Sequence, residues 1–428
     1  MNKAKLAIIG GGISGMSAAH FLYKRYDITV FEKNDYIGGH SHTVDIDYHG
    51  KHVVVDTAVM IFDRRNYVNV EKLFARIGIA EADKVQSNVS WGAAFFENET
   101  LEYSNRSPLL QWHNTLSLRS WLLFFHYARF AWLSRRAFLR RPDTLEGKTF
   151  GAYPRELRVS QDCINHVITP LYACIFSLTP KEILEWPTLL MLGFLHRHQM
   201  LGIGLVGETP WYMLRGGTRE YVEKLIAPYK DAIRLNTPIK SISRTDGKVS
   251  VELADGTQEI FDKVIIAAHA DQALALLAEP TADEQRLLSA FPYTRDRTVI
   301  LHDDPSVMPR RRSSWAAFTF NDRVPALDGG FAVTYWINLV QGIDQKYPLF
   351  LSINTAAVRK ENRFAEFHYT HPTFTASSYE AQKELPTLQG VGGIYYCGSY
   401  FGYACHEDAL DSAIGVARLL GGDTLDDI

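Results

Sequence analysis

The chain has 428 residues, of which 46% are hydrophobic, 12% aromatic and 22% charged. This composition predicts a folded globular protein long enough for two domains, and it excludes a disordered or fibrous chain. Lysine and arginine number 45 against 48 aspartates and glutamates, which gives a formal net charge of −3. Because this balance excludes a global basic field, we expect no nucleic-acid partner.

The cysteines and the apolar runs bear on location. The four cysteines form no CxxC pair, and no spacing of histidine, cysteine and acidic residues indicates a metal site, so we expect reduced thiols in a cytoplasmic protein. The apolar run 6–9 is too short for a signal peptide. The longest apolar stretch, 121–133, is shorter than the ~20 residues of a membrane span.

The first residues predict a strand, a tight turn and a helix, in that order. The strand is Lys5–Ile9, and the turn carries the pattern Gly10-x-Gly12-x-x-Gly15. In such a turn one glycine bends the chain, one lets a pyrophosphate approach the backbone and one lets the helix pack closely on the strand. The free amides at the start of the helix, those of Ile13 and Ser14 included, then face the phosphates.

A second predicted strand, 28–31, ends at Glu32, which lies 20 residues beyond Gly12. An acidic side chain at this spacing accepts hydrogen bonds from both ribose hydroxyls of an adenine dinucleotide. Glu32 and the adjacent Lys33 are therefore candidate cofactor-binding residues. Up to this point the pattern is compatible with both NAD and FAD.

Gly38, Gly39 and His40 distinguish between these cofactors. They predict a second close approach of the backbone to the pyrophosphate, which favours FAD. The stretch from Gly10 to His40 resembles the N-terminal signature of the superfamily of flavin-containing amine oxidases, phytoene desaturases and protoporphyrinogen oxidases. The resemblance implies an α/β fold with a Rossmann-like FAD-binding domain of the GR2, or amine-oxidase, type. It also implies that FAD is held without a covalent link.

Later segments continue the resemblance. Residues 53–58 resemble a strand and turn that pass beside the isoalloxazine ring, where relatives usually carry glycine instead of Ala58. The segment from His406 resembles the closing helix, whose first amides are aimed at the pyrimidine edge of the flavin. The resemblance places these further residues at FAD: Thr57, Ala58, Val59, Ile239, Ala267, Gly398, Ser399, Glu407, Asp408 and Ala409.

The domains are expected to be interleaved. Residues 215–221 resemble the glycine turn that returns the chain to the FAD-binding domain after a first insertion. We therefore expect a discontinuous FAD-binding domain of residues 1–75, 215–275 and 388–428. The two remaining segments, 76–214 and 276–387, are expected to form an α+β substrate domain.

Five further segments resemble one bacterial subfamily of amine-oxidase-like proteins linked with cyclopropane-type fatty-acyl modification: 39–44, 297–302, 308–312, 334–338 and 402–408. The resemblance implies an FAD-dependent oxidoreductase that removes a hydride from an apolar substrate, such as a modified fatty-acyl chain of a membrane lipid. Two alternatives stay open. One is oxidation of a polyamine or another amine, and the other is a non-redox lipid-binding protein that keeps FAD. A homodimer is compatible with all three.

Catalytic residues are predicted from departures and from side-chain chemistry. Amine oxidases usually carry a lysine where the strand 297–301 carries Arg297. The catalytic candidates are Arg297, His302, Tyr335 and Tyr403. Histidines titrate near neutral pH, so His40, His42, His302 and His406 are candidate proton carriers. Tyr335, Trp336, Tyr400 and Tyr403 are candidates for a flat apolar slot.

The segment 109–141 contains six arginines, eight aromatic residues and no acid. On a helix, Trp121, Phe125 and Trp132 share one face, and Arg129, Arg136 and Arg140 lie on an adjacent arc. One interpretation is a helix packed on the core with solvated arginines. The other is peripheral contact with the inner face of a membrane, to which Arg310–Arg312 would add basic charge.

Overall fold

The computed structural model describes residues 3–58, 61–96, 101–106, 114, 116–202, 210–327 and 332–425. The strands are β1 (Lys5–Ile9), β2 (Asp27–Phe31), β3 (Thr43–Tyr48), β4 (Lys51–Asp56), β5 (Phe62–Asp63), β6 (Lys84–Ser87), β7 (Trp91–Phe95), β8 (Leu101–Ser104), β9 (Trp211–Leu214), β10 (Ile233–Arg234), β11 (Ile239–Thr245), β12 (Lys248–Leu253), β13 (Gln258–Phe261), β14 (Lys263–Ile266), β15 (Arg297–His302), β16 (Phe318–Asn321), β17 (Val333–Trp336), β18 (Phe350–Ile353), β19 (Arg363–Tyr369) and β20 (Ile394–Tyr396). The helices are α1 (Ile13–Leu22), α2 (Val68–Arg76), α3 (Leu118–Arg140), α4 (Tyr153–Glu156), α5 (Gln161–Cys163), α6 (Thr169–Phe176), α7 (Pro180–Glu185), α8 (Thr188–Arg197), α9 (Arg219–Ile226), α10 (Ala270–Leu276), α11 (Ala282–Leu288), α12 (Ile337–Val340), α13 (Ala376–Glu384) and α14 (His406–Leu419).

A five-stranded parallel sheet has the order β10-β2-β1-β14-β20. Its central strands are nearly continuous runs of apolar residues, as a parallel sheet covered on both faces requires. Leu6, Ala7 and Ile8 of β1 are fully buried. The strands and the helix predicted from the first residues are confirmed, and so is the α/β fold.

All five strands of this sheet run in the same direction, so their carboxyl ends meet at one edge. Gly10 follows β1, Glu32 follows β2 and Ala267 follows β14. Cys397 and Gly398 follow β20 at the same edge. Ligands of open parallel sheets bind at this edge, so the candidate cofactor residues are brought together there.

A seven-stranded mixed sheet has the order β19-β15-β18-β17-β16-β7-β8. Successive side chains of a strand point to opposite faces. Val299, Tyr335 and Leu351 lie on one face, whereas His302 and Trp336 lie on the other. The first face is the wall of a cavity, and the second packs on its own hydrophobic cluster.

Each of the two large sheets takes its strands from separated segments of the chain. The parallel sheet takes its strands from 5–31, 233–266 and 394–396, and the mixed sheet takes its strands from 91–104 and 297–369. A small sheet, β5-β9-β6, pairs one strand that precedes the predicted boundary at 75 with two strands that follow it. The domain boundaries stay a prediction.

Helix α3 lies within the segment 76–214, which is predicted to be the first insertion. It begins after Ser117, whose side chain accepts a hydrogen bond from the Ser120 amide, and it ends at Arg140. Its inner face buries Leu123, Tyr127 and Phe130. None of the helices in the described part of the chain combines the length and the apolar character that crossing a membrane would need.

Candidate functional site

A cavity of about 910 Å³ begins at the carboxyl edge of the parallel sheet and reaches the mixed sheet. One half is lined by glycine turns and by backbone that follows the parallel strands. The other half is lined by apolar side chains of the mixed sheet, of α6 and of α8. The half lined by backbone suits the phosphates of a nucleotide cofactor, and the apolar half suits an apolar substrate.

The first glycine turn leaves room in front of the start of α1. A Cβ on Gly12 would meet no atom within 4 Å, whereas a Cβ on Gly15 would lie 1.9 Å from the Gly10 carbonyl oxygen. Gly12 is the N-cap of α1, and no side chain caps that helix. The first amides of α1 are therefore available to a phosphate, because helix N-termini attract anions.

Glu32 is held in place by the same turn. It is 5% exposed, and its carboxylate accepts hydrogen bonds from the amides of Gly11 at 2.8 Å and Asn34 at 2.9 Å. These two bonds fix the carboxylate at the cavity wall, where its remaining lone pairs can accept ribose hydroxyls. This geometry fits the adenosine end of a dinucleotide.

The second pair of glycines packs directly against the first turn. Gly38 donates its amide to the Gly11 carbonyl oxygen at 2.8 Å, and a Cβ on Gly39 would lie 3.1 Å from the Gly12 Cα. Both glycines have positive φ, +131° and +60°, which side chains disfavour. Two stretches of bare backbone thus meet at one point of the cavity, as the close approach of a pyrophosphate requires.

Most predicted cofactor residues line this cavity: Gly10, Gly12, Ile13, Ser14, Glu32, Lys33, Gly38, Gly39, His40, Thr57, Ala58, Ile239, Ala267, Gly398, Ser399 and Ala409. Gly15 does not line the cavity. It lies against the Gly10 carbonyl, where the absence of a side chain allows α1 to pack on the turn. Val59 lies outside the described residues. Ala58 has no positive φ, so alanine is accommodated where relatives usually carry glycine.

Glu407 and Asp408 do not line the cavity, and their carboxylates are bonded to backbone amides, so their role as cofactor-binding residues stays a prediction. The Glu407 carboxylate accepts the amides of Asn69 and Val70 at the start of α2. The Asp408 carboxylate accepts the amides of Tyr403 and Cys405 before α14. Both acids satisfy backbone donors that would otherwise be buried without partners.

Arg297 and His302 also lie away from the cavity, and their catalytic role stays a prediction. The Arg297 guanidinium donates to the Ser177 carbonyl oxygen and to Glu182, both at 2.6 Å, behind the cavity wall. The His302 ring lies on the far face of the mixed sheet, where it bonds the Ser352 hydroxyl at 2.8 Å. Neither side chain lines the cavity.

The aromatic candidates separate in the same way. Tyr335, Tyr400 and Tyr403 line the cavity, whereas Trp336 packs on Trp315 on the far face of the sheet. The Tyr335 hydroxyl bonds the Ser177 hydroxyl at 2.5 Å. Tyr335 is therefore a fixed part of the apolar half, and burial raises its pKa.

Four histidines form a cluster in the cavity wall: His40, His269, His371 and His406. The rings of His40 and His371 are 5.1 Å apart, and those of His40 and His269 are 6.0 Å apart. His406 Nε2 lies 3.2 Å from the Ser41 hydroxyl, which also bonds Tyr221. Burial lowers the pKa of each, to about 3 for His269 and about 4 for His406, so all four are neutral at pH 7.

His269, His371 and Tyr369 were not among the residues predicted from the sequence, although all three line the cavity. Tyr369 bonds the Thr57 hydroxyl at 2.6 Å and His42 at 3.0 Å. His42 itself does not line the cavity and stacks on Tyr36. The two histidines of the segment 368–371 were the only local sequence signal for this part of the cavity wall. Their position at the cavity depends on the packing of β19 beside the glycine turns, which no local pattern predicts.

The profile of the family described as flavin containing amine oxidoreductase matches residues 13–335. The chain is 51% identical over 43 residues to a 1-hydroxycarotenoid 3,4-desaturase of Flavobacterium sp. (strain P99-3), a match that spans 10% of this chain and only 9% of that protein.

Solved structures resemble the whole chain. The CLA-producing fatty acid isomerase from P. acnes has a TM-score of 0.67 at 15% identity, with 98% of each chain covered. Putrescine oxidase bound to putrescine has a TM-score of 0.67 at 11% identity, covering 98% of this chain and 99% of that one. Cyclohexylamine oxidase from Brevibacterium oxydans IH-35A has a TM-score of 0.63 at 14% identity, covering 98% and 100%. At these identities the likeness shows the fold alone.

Proposed function

The chain belongs to the flavin containing amine oxidoreductase family and is an FAD-dependent oxidoreductase, and we propose that it acts on an apolar substrate. The proposed reaction desaturates a modified fatty-acyl chain of a membrane lipid. In such a reaction one carbon of the substrate would give up a hydride, for which bound FAD would supply the acceptor, its neighbour would give up a proton to a side chain of the protein, and the carbon–carbon bond would become a double bond. The four thiols are free, and we propose a cytoplasmic location.

The composition of the cavity wall carries the proposal. Among the described residues that line it, Glu32 is the only carboxylate, and it stands at the adenosine end. The half that faces the mixed sheet is lined by large apolar side chains, among them Trp91, Ile175, Phe194 and Leu351. An ammonium group moved into this half would lose its hydration without gaining a carboxylate partner, whereas an acyl chain would lose only contact with water.

The residues of the chain have separable tasks. The glycine turns and the first amides of α1 bind the pyrophosphate, and Glu32 binds the ribose. When bound, FAD supplies the site that accepts the hydride. The apolar walls orient the acyl chain and exclude water. A histidine of the cluster, such as His40 or His406, is the proposed proton acceptor, because both rings line the cavity.

Anaerobic mixing tests the proposal. The FAD-loaded protein is mixed with dispersed acyl lipids or with polyamines, and the visible absorption band of the flavin is followed. Bleaching by acyl lipids supports the proposal. Bleaching by polyamines alone contradicts it in favour of amine oxidation, and no bleaching by either class would favour a non-redox, lipid-binding role.

A further inference from the structure

The outer face of α3 exposes large apolar side chains. Trp121 is 49% exposed, Phe125 61% and Trp132 57%. Further exposed apolar side chains on or beside this helix are Leu116, Leu118, Leu122 and Leu139. Scattered single apolar residues are normal on a protein surface, but a contiguous set of this size indicates a binding surface.

Helical geometry places these side chains in one stripe. At about 100° per residue, positions 118, 121, 122, 125, 132 and 139 fall within an arc of roughly 100°, and positions 129, 136 and 140 fall within the same arc. These three arginines are therefore interspersed with the apolar side chains, whereas the sequence predicted that they would lie on an adjacent arc. The opposite face of α3 is already buried through Leu123, Tyr127 and Phe130. The exposed stripe is thus a second apolar face of a helix that has already packed on the core.

The charge of the stripe has one sign. Arg135, Arg136, Arg140 and Arg141 are exposed, and no acid occurs between residues 109 and 141. Arg136 lies over the Trp132 ring, with its guanidinium carbon 5.7 Å from the ring centroid. Two other arginines are engaged: Arg119 pairs with Asp162, and Arg129 donates to the Leu157 carbonyl oxygen.

A second basic cluster adjoins the segment that leads into α3. Glu102 joins the two, because its carbonyl oxygen accepts the Asn114 side chain at 2.7 Å and its carboxylate accepts the Arg311 amide at 2.9 Å. Arg310, Arg311 and Arg312 are exposed. In the described part of the chain their side chains form no ion pair, and two of them lie over aromatic rings.

We propose that the outer face of α3, extended by Arg310–Arg312, docks on the surface of an anionic lipid bilayer. Tryptophan and phenylalanine bury at the boundary between headgroups and acyl chains, and arginines bind anionic headgroups. A second copy of the chain does not suit this face. Two-fold pairing would bring together two surfaces that both carry arginines and to which residues 109–141 contribute no carboxylate. The inference goes beyond the proposed reaction, because docking needs no electron transfer.

Vesicle flotation tests the docking surface. FAD-loaded protein is mixed with vesicles of phosphatidylcholine alone or of phosphatidylcholine with phosphatidylglycerol. We expect co-flotation with the anionic vesicles and its loss in high salt, because charge attraction is screened. Protein that stays with the soluble fraction under both conditions, or that floats equally with neutral vesicles, would overturn the proposal.

Paired variants separate the two contributions. Phe125→Ser with Trp132→Ser removes two apolar anchors, and Arg136→Gln with Arg140→Gln removes two charges. Each basic residue near the surface changes partitioning about fivefold, so we expect the second pair to weaken binding by at least about tenfold. The matched controls are Ile260→Ser with Leu419→Ser and Lys181→Gln with Lys230→Gln, which alter exposed residues elsewhere. Equal loss in the controls would contradict the assignment.

Sedimentation of the same proteins tests whether a second copy of the chain, instead of a bilayer, covers this face. We expect the wild type and the Phe125→Ser/Trp132→Ser variant to have the same oligomeric state in the absence of lipid. A dimer that the variant dissociates would overturn the proposal in favour of a protein interface. Circular dichroism and the flavin band report whether each variant is folded and loaded. Flotation and sedimentation do not depend on the substrate, so the failure of docking and the failure of the proposed reaction are distinguishable.

Discussion

At the scale of single residues, Gly12 and Gly15 differ in what lies in front of their Cα atoms. A methyl group on Gly12 enters open space, whereas one on Gly15 would collide with the Gly10 carbonyl oxygen at 1.9 Å. The two glycines of one motif thus serve different ends. Gly12 leaves room for the cofactor, and Gly15 allows the helix to pack.

Alanine at either position therefore gives different results. Gly12→Ala should raise the dissociation constant of FAD at least about tenfold, and as a helix cap it should cost the apoprotein no more than about 1 kcal/mol. Gly15→Ala should destabilise the apoprotein itself by about 1–3 kcal/mol. Fluorescence titration of FAD and denaturant unfolding measure the two effects. Equal loss of stability in both variants would contradict the assignment.

His302 is a buried histidine outside the cavity, so its titration reports on the fold alone. The Asp304 amide donates to its Nδ1 at 3.1 Å, which leaves Nε2–H to donate to the Ser352 hydroxyl. Burial lowers its pKa from 6.5 to about 3. A lowered pKa favours the neutral ring, so its contribution is complete above pH 6.5 and is lost as pH falls toward 3.

We expect the free energy of unfolding to fall between pH 7.5 and pH 5 in the wild type, with His302 contributing on the order of 2 kcal/mol. His302→Gln keeps an amide donor but does not titrate, so it should reduce this loss. His52→Gln, at an exposed ring, is the control. An unchanged pH slope in His302→Gln would refute the interpretation.

Much of the nucleotide half could be predicted at this scale, and the histidine cluster could not. The glycine pattern and Glu32 are close in sequence, and their spacing alone defines a turn and the end of a strand. His40, His269, His371 and His406 come from four distant segments. Only the packing of β19 and α14 against the glycine turns brings them together, and no local pattern encodes such a contact.

At the scale of elements, Glu407 links two helices. It belongs to α14, and its carboxylate accepts the first amides of α2, those of Asn69 at 2.8 Å and Val70 at 3.0 Å. The N-cap residue of α2, Tyr67, supplies no side-chain cap. Glu407 thus does for α2 what an N-cap side chain normally does.

Glu407→Ala should therefore lower the free energy of unfolding by about 1–2 kcal/mol, because the amides of α2 would lose their acceptors. The dissociation constant of FAD should change little, since Glu407 does not line the cavity. Glu223→Ala, at an exposed position of α9, is the control. A large loss of FAD affinity without loss of stability would contradict this capping role and support Glu407 as a cofactor ligand.

Strands β1, β2 and β14 could be predicted because continuous apolar runs mark buried parallel strands. The hairpin between β12 and β13 carries Asp255 and Gly256 in its turn, a dipeptide that is typical of tight hairpins. The face of β15 could not be predicted. A strand alternates its side chains, so shifting the assignment by one residue exchanges Val299, which lines the cavity, with Ile300 and His302, which do not.

At the scale of the whole molecule, the cavity joins a polar nucleotide half to an apolar half. Their meeting depends on strands from both ends of the chain, where the sequence carries cofactor motifs, and the division into interleaved domains stays a prediction. The small sheet β5-β9-β6 was not predictable, since it pairs segments separated by more than a hundred residues. Pairing at that distance leaves no mark in local sequence.

A carboxylate placed in the apolar half should change the preference of the site. Leu351→Asp adds an acid to the half of the cavity whose described lining holds no carboxylate, so we expect bleaching by acyl lipids to slow at least about tenfold. Leu419→Asp, at the exposed end of α14, is the matched control and should behave as the wild type. Stopped-flow absorbance measures both. An unaffected rate in Leu351→Asp would place the substrate elsewhere.

The most direct test of an apolar substrate is the mass of the product after a single anaerobic turnover. FAD-loaded protein is mixed with a lipid that carries the modified acyl chain, and the lipid is extracted once the flavin band has bleached. The account predicts an acyl chain that has lost two hydrogens, in equal amount to the flavin reduced. An unchanged acyl chain, together with an oxidised amine when a polyamine is supplied instead, would contradict it.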